Sequence, residues 1–180
     1  MAGLCDSLVQ EHDIIERVLD ALEKEARTVA AGAAVDRTFF ATAISFVRQF
    51  ADGLHHQKEE QILFPALCDA GIPKDGGPVG VMLYEHDEGR GHIRAMDSSL
   101  DAASSGDDSA RRQLVQESLA FVELLRAHIQ KENMILFPMA ERALDPRQQE
   151  TVRAEFESAE YEAQEQTKLH REWAANLAKS

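Results

Sequence analysis

A chain of 180 residues can bury a real core as one domain, or as one domain and a tail. Its formal net charge of −13 sets the surface against nucleic acid and anionic membranes, both of which repel an acidic protein. Leucine, alanine, glutamate and glutamine are frequent and β-branched runs are few, which favours helix over sheet.

Taken in chain order, the apolar residues recur at helical spacing. Leu4, Leu8, His12, Ile15, Leu19, Leu22, Ala26 and Val29 form one face of a first helix. "AAGAAVD" ends it, and Asp36 can cap the next. Phe40, Ile44, Val47, Ala51, His55, Glu59 and Ile62 trace the inward face of the second. The Gly/Pro-rich "DAGIPKDGGPVG" reads as a loop. Val79, Met82, His86, Gly89, Ile93, Met96 and Leu100 make a third stripe, and "SSGDDS" breaks the chain again. Leu114, Phe121, Leu125, His128, Glu132, Ile135 and Met139 make the fourth. Pro146 suits the first turn of a fifth helix with Asp145 as its cap, and Val152, Phe156, Leu169, Trp173 and Leu177 give that helix an apolar face. Its middle, "ESAEYEAQEQ", reads as solvated.

The expected architecture is all-α: an up-and-down antiparallel four-helix bundle over residues 1–145, with residues 146–180 as a C-terminal helix packed along it rather than building the site. The N-terminus has no basic and apolar signal regions, and no apolar run approaches the roughly 20 residues that span a bilayer. Cys5 and Cys68 lie in no Cys-x-x-Cys pair and read as free thiols. A cytoplasmic location is therefore expected.

The plan is used twice. "HHQKEEQILFP" at residues 55–65 matches "HIQKENMILFP" at 128–138, and "EHD" at 11–13 recurs at 85–87. Four histidines, His12, His55, His86 and His128, fall on the apolar stripes, one per helix. A single such histidine is more often a hydrogen-bonded core residue than a ligand. Four of them with two glutamates would be costly to bury without partners, and a shared metal removes that cost. His12 and His86 sit about 12 Å into their helices, so in an antiparallel bundle all four rings reach one layer. His55/Glu59 and His128/Glu132 are i, i+4 pairs on one helix face. Two-fold repetition then gives two metals sharing Glu59 and Glu132. Mixed imidazole and carboxylate ligation suits iron, with manganese or zinc as alternatives.

"HHQKEE" offers a rival pairing of His56 with Glu60. The repeat aligns His55 with His128 instead, and the face behind His56 carries Asp52, Gln49 and Arg48. His56 and Glu60 are accordingly expected to be supporting or solvated residues, and His92 and His170 to lie on the surface. No Glu-x-x-His occurs, which argues against a ferritin-type di-iron bundle.

A histidine in helix one, His-x-x-x-Glu in helix two, a histidine in helix three and His-x-x-x-Glu in helix four resemble the hemerythrin-like, or HHE cation-binding, family over roughly residues 1–145. "HHQKEEQILFPAL", "GVMLYEHDEGRGHIRAM" and "HIQKENMILFPMA" carry the resemblance. It implies two non-haem iron ions with an oxo or hydroxo bridge, meeting O₂, peroxide or nitric oxide, with His12, His55, Glu59, His86, His128 and Glu132 as ligands. The chain departs from the oxygen carriers of that family: Arg90 stands four after His86 where they have a second histidine, and Asn133 stands where they have aspartate. The set is one histidine short, which leaves a position for exchange. Gly89, one turn from His86, leaves room beside it or serves close packing; Tyr84 and Tyr161 are candidate redox or hydrogen-bonding groups. Catalase-like decomposition of peroxide is the favoured function. The alternatives are binding or sensing of O₂, nitric oxide or iron without turnover, and a structural zinc site.

Overall fold

The computed structural model describes residues 3–177. The described residues form five helices and no strand: α1 (Asp6–Ala30), α2 (residues 37–69), α3 (Pro78–Ser104), α4 (residues 108–143) and α5 (Pro146–Leu177). Aspartates start three of them. Asp36 accepts from the Phe39 N–H, Asp107 from that of Ala110, and Asp145 from those of Arg147 and Gln148, each satisfying donors that a first helical turn leaves unpaired.

Contacts between neighbours show that α1 to α4 run antiparallel around a ring. Along α2 and α3, Arg37 meets Asp101, Arg48 meets Asp97, Asp52 meets Arg90 and Glu60 meets His86. As the number climbs on one helix it falls on the other. The same holds for α3 and α4 (Glu85 with Lys131, His92 with Glu117), for α1 and α2 (Glu11 with Lys58), and for α1 and α4 (His12 with Glu132, the Val29 carbonyl with Arg111).

Two apolar clusters flank a polar layer. One gathers Leu19, Phe40, Phe50, Met96 and Phe121; the other gathers Leu8, Leu63, Leu67, Leu136 and Phe156. Between them lie the buried histidines and glutamates. α5 runs back over α1 and α2: Phe156 packs beside Lys58, His170 bonds Gln49, and Trp173 lies against Phe39 and Phe46. The middle of α5 is mostly exposed, as its composition suggests. Leu169 is also exposed, against expectation, because Thr167 and Ala174 take the buried positions on that face.

The two helices that carry the His-x-x-x-Glu pairs widen locally. α2 is π-helical over Val47–His56 and Glu59–Leu63, and α4 over Glu132–Leu136. A π turn holds more residues than an α turn, so the inward stripe slips by one. After Glu59 the buried residues are Leu63, Phe64 and Leu67 rather than Ile62; after Glu132 they are Leu136, Phe137 and Ala140, while Ile135 is exposed and Met139 only half-buried.

Candidate metal centre

The six residues singled out from the sequence meet in the polar layer, each no more than 2 % exposed. His12 Nε2 lies 3.0 Å from His55 Nε2, and His86 Nε2 lies 3.1 Å from His128 Nε2. Glu132 spans both pairs, 3.2 Å from His12 and 3.1 Å from His128. Glu59 does the same, 3.7 Å from His55 and 3.5 Å from His86.

The other nitrogen of each ring settles the tautomer. His12 Nδ1 is 2.9 Å from Asn133 Oδ1, His55 Nδ1 3.0 Å from Glu11, His86 Nδ1 2.7 Å from Glu60 and His128 Nδ1 2.9 Å from Glu85. Each Nδ1–H donates outward, so each Nε2 turns a lone pair toward the centre. Tethering of this kind is how proteins orient histidines for a metal. It also explains the repeats. The glutamates of the two "EHD" phrases, Glu11 and Glu85, hold His55 and His128 on the neighbouring helix. The lysines of the long phrases hold those glutamates in turn: Lys58 bonds Glu11 at 2.9 Å, and Lys131 pairs with Glu85. Glu60 and Asn133, at matching places in the two halves, hold His86 and His12.

The electrostatics suit a cation. Burial pushes Glu59 well above the usual carboxylate range, and the charge of Glu132 pushes it further. Burial would raise Glu132 too, but His128 and His12 outweigh it and hold that carboxyl low. Burial, then the neighbouring His12, keeps His55 well below the ordinary imidazole value. Around His128, Glu132 and Glu85 overcome burial and raise it. All four carboxylate oxygens of Glu59 and Glu132 are buried without a hydrogen-bond partner, although they lie close to imidazole nitrogens. With their protons displaced these groups turn lone pairs on one another, and a metal ion is a species that such a donor set fits.

Two groups of potential ligand atoms lie within 4.8 Å of one another: His12, His55, Glu59 and Glu132, and His56, Glu59, His86 and His128. The second contains a residue that the sequence reading set aside. His56 is 6 % exposed rather than solvated. The wide turn of Val47–His56 brings two consecutive histidines inward where an α-helix would admit one. Glu60 is an orienting partner of His86 and is ion-paired with Arg90, which also bonds Asp52 and Asp87. Burial raises Glu60, but His86 and Arg90 outweigh it and hold it low.

A cavity of about 180 Å³ opens beside His56 and His86, between Val47, Ile93, Phe121 and Leu125. Gly89 lines it, and a Cβ there would touch Phe121 at 3.5 Å, an ordinary contact, so close packing and open space meet at this residue. The remaining candidates lie elsewhere. Tyr84 and Tyr161 are exposed; His92 pairs with Glu117, and His170 is half-buried against Gln49. α5 enters the site's support after all, since Glu160 bonds Lys58 at 2.6 Å and Arg171 comes within 3.6 Å of Glu11. Cys5 and Cys68 are free; burial pushes the Cys5 thiol far up and makes it inert. No helix among the described residues is long and apolar enough to cross a membrane.

Residues 3–140 match the hemerythrin HHE cation binding domain. An uncharacterized protein of Mycobacterium tuberculosis is 27% identical over 133 residues, 74% of this chain and 51% of the relative. The iron-sulfur cluster repair protein YtfE of Dickeya chrysanthemi is 34% identical over 90 residues, 49% of this chain and 41% of the relative. A probable iron-sulfur cluster repair protein of Haemophilus influenzae is 34% identical over 86 residues, 47% of this chain and 39% of the relative. The chain thus spans about half, or less, of the curated relatives it matches.

Proposed function

The chain belongs to the hemerythrin HHE cation-binding domain family, and on that premise we propose that it holds a pair of iron ions and uses them to decompose peroxide. The carrying observation is the donor set: four outward-tethered imidazoles turn Nε2 lone pairs onto two buried carboxylates that have no other partner. His12 and His55 would serve one position and His86 and His128 the other, with Glu59 and Glu132 shared. Iron held there supplies the reversible one-electron changes that peroxide chemistry needs and zinc lacks.

The chain's own part is orientation and exclusion. The Nδ1 tethers fix each ring's rotation. The apolar clusters on either side keep bulk water from the layer. The cavity opens beside His56 and His86, which gives a small molecule a route to that position. Its walls are largely apolar, which suits a neutral species such as hydrogen peroxide. Position 90 carries an arginine engaged with three carboxylates. It offers no imidazole, so α3 gives the layer His86 alone where the oxygen carriers' third helix gives two. The free thiols Cys5 and Cys68 support a cytoplasmic setting.

The test is stopped-flow mixing of iron-loaded protein with peroxide and, separately, with O₂. Rapid peroxide loss with O₂ release is expected, and zinc-loaded protein should be inert. A stable, reversible O₂ adduct with negligible peroxide turnover contradicts the proposal. The relatives named for iron-sulfur cluster repair favour a second reading, in which the iron is held and handed on without turnover. Iron transfer to a metal-free acceptor protein, with no peroxide consumption, would select it.

A further inference from the structure

The pseudo-two-fold symmetry of the site fails at one residue. Laying the two long phrases over each other sets His55 on His128, Glu59 on Glu132 and Glu60 on Asn133, but His56 on Ile129. Ile129 packs in the apolar core, as its chemistry requires. His56 is almost as fully enclosed, yet both of its ring nitrogens lack a hydrogen-bond partner. Asp52 comes within 3.4 Å of Nδ1, at an angle that makes no hydrogen bond. Enclosing an imidazole this far, with an ion-pair contact from Asp52 but no well-aligned hydrogen bond at either nitrogen, is expensive. The repeat did not require it, since isoleucine fills the matching place.

The ring is placed where that cost can be recovered. It stacks on His86 with centroids 3.8 Å apart and planes 15° apart, and meets His128 edge-on at 5.7 Å. One of its nitrogens lies within 4.8 Å of ligand atoms of Glu59, His86 and His128. The cavity reaches it from outside. Phenylalanines at matching places stack on both sides of the layer, Phe137 on His12 at 5.5 Å and Phe64 on His86 at 5.9 Å, so the difference between the sides lies in His56 and the cavity.

We propose that His56 is a fifth imidazole of the centre, a third nitrogen for the His86/His128 metal position, supplied by the wide turn of α2 in place of the histidine that Arg90 displaces from α3. The inference rests on the dinuclear reading above. It makes the two metals unlike. One would be held by two imidazoles and the shared carboxylates, away from the cavity. The other has three imidazoles, one of them at the mouth of the cavity and open to replacement by an incoming molecule.

The experiment compares wild type, His56→Ala and, as a control remote from the site, His92→Ala. Each is loaded anaerobically with ferrous iron, desalted, and measured for iron per chain and by Mössbauer spectroscopy. Wild type and His92→Ala should retain both irons as two distinct quadrupole doublets. His56→Ala should lose the second iron, or bind it about tenfold or more weakly, and imidazole added through the cavity should restore both the iron and its doublet. X-ray absorption on wild-type protein provides a reading that needs no variant: five imidazoles shared by the two irons, against four if His56 stands aside. Unchanged iron content and doublets in His56→Ala, or four imidazoles in wild type, would overturn the assignment of His56 and leave the dinuclear centre standing. Wild-type protein that holds a single iron or none would remove both.

Discussion

Lys58 and Lys131 occupy matching places in the two halves and do the same work, each holding the glutamate that holds a histidine. Their surroundings differ. Lys58 is fully buried under α5, between Glu11 and Glu160; Lys131 is 36 % exposed. Removing the lysine from a buried pair strands the partner's charge, which costs about 3 kcal/mol or more, whereas an exposed pair contributes under about 1 kcal/mol. Lys58→Met should therefore lower unfolding free energy by about 3 kcal/mol and Lys131→Met by under about 1 kcal/mol, as read by urea denaturation. Equal losses would show that α5 does not seal Lys58 in solution.

The histidines also give the metal-free protein a pH dependence. Burial keeps His55 and His56 well below their ordinary value of 6.5. A base whose folded pKa is depressed loses stability as pH falls through its unfolded value, because the unfolded ring takes up a proton that the folded one refuses. Each contributes a slope of up to about 1.4 kcal/mol per pH unit. Glu59 and Glu11, raised by burial, oppose this, since they stay protonated in the fold at pH values where the unfolded carboxyl has ionised. Two histidines and two carboxyls set opposing limits of about 2.7 kcal/mol per unit each, so stability of the apoprotein should change little between pH 6.5 and pH 5. Chemical denaturation across that range checks it, and a loss of stability on acidification approaching the limit set by the histidines alone would contradict the protonated state assigned to Glu59 and Glu11.

At the scale of elements, the π-helical turns decide what the sequence did and did not disclose. The stripes of α1 and α3 were legible because those helices keep a 3.6-residue period, as were the aspartate caps at Asp36 and Asp145. The repeat aligned His55 with His128 and Glu59 with Glu132, and the structure brings both pairs into one layer. Beyond each glutamate the period changes, and the expected Ile62 and Ile135 give way to Leu63 and Leu136. His56 was set aside for the same reason: the polar face behind it is the face of an α-helix, and α2 is not one there. A helix widened at its ligands carries no local composition signal. Two adjacent histidines, His55 and His56, were the available hint.

Gly53 lies inside the wide turn of α2. A Cβ there would stand 2.9 Å from the Arg48 carbonyl, a backbone atom five residues back, whereas a Cβ on Gly91 in α3 would meet nothing nearer than the Arg94 side chain at 3.9 Å. In a regular helix, replacing glycine by alanine gains about 1 kcal/mol. Gly91→Ala should accordingly raise the melting temperature. Gly53→Ala should lower it and weaken retention of the metal beside His56, because the backbone must shift to relieve the contact. Matched gains in the two variants would argue that the turn is an ordinary α-helix.

The whole molecule is two copies of a helix pair folded face to face around a shared donor layer, with the symmetry broken in two places. α5 covers one side and buries Lys58. On the other side the cavity beside the buried His56 opens outward. The bundle and its layer could be read from the repeat. The packing of α5 along the bundle was expected from its apolar face; its support of the site was not, because Glu160 sits in the solvated-looking stretch and both Glu160 and Arg171 act through Lys58 and Glu11 rather than on the ligands themselves. The central claim is that this layer holds a pair of irons and not one. Anaerobic ferrous loading to saturation, followed by removal of loose metal and elemental analysis against protein concentration, tests it most directly. The account predicts about two tightly held irons per chain, one for each group of converging ligands; a plateau at one iron per chain would contradict it.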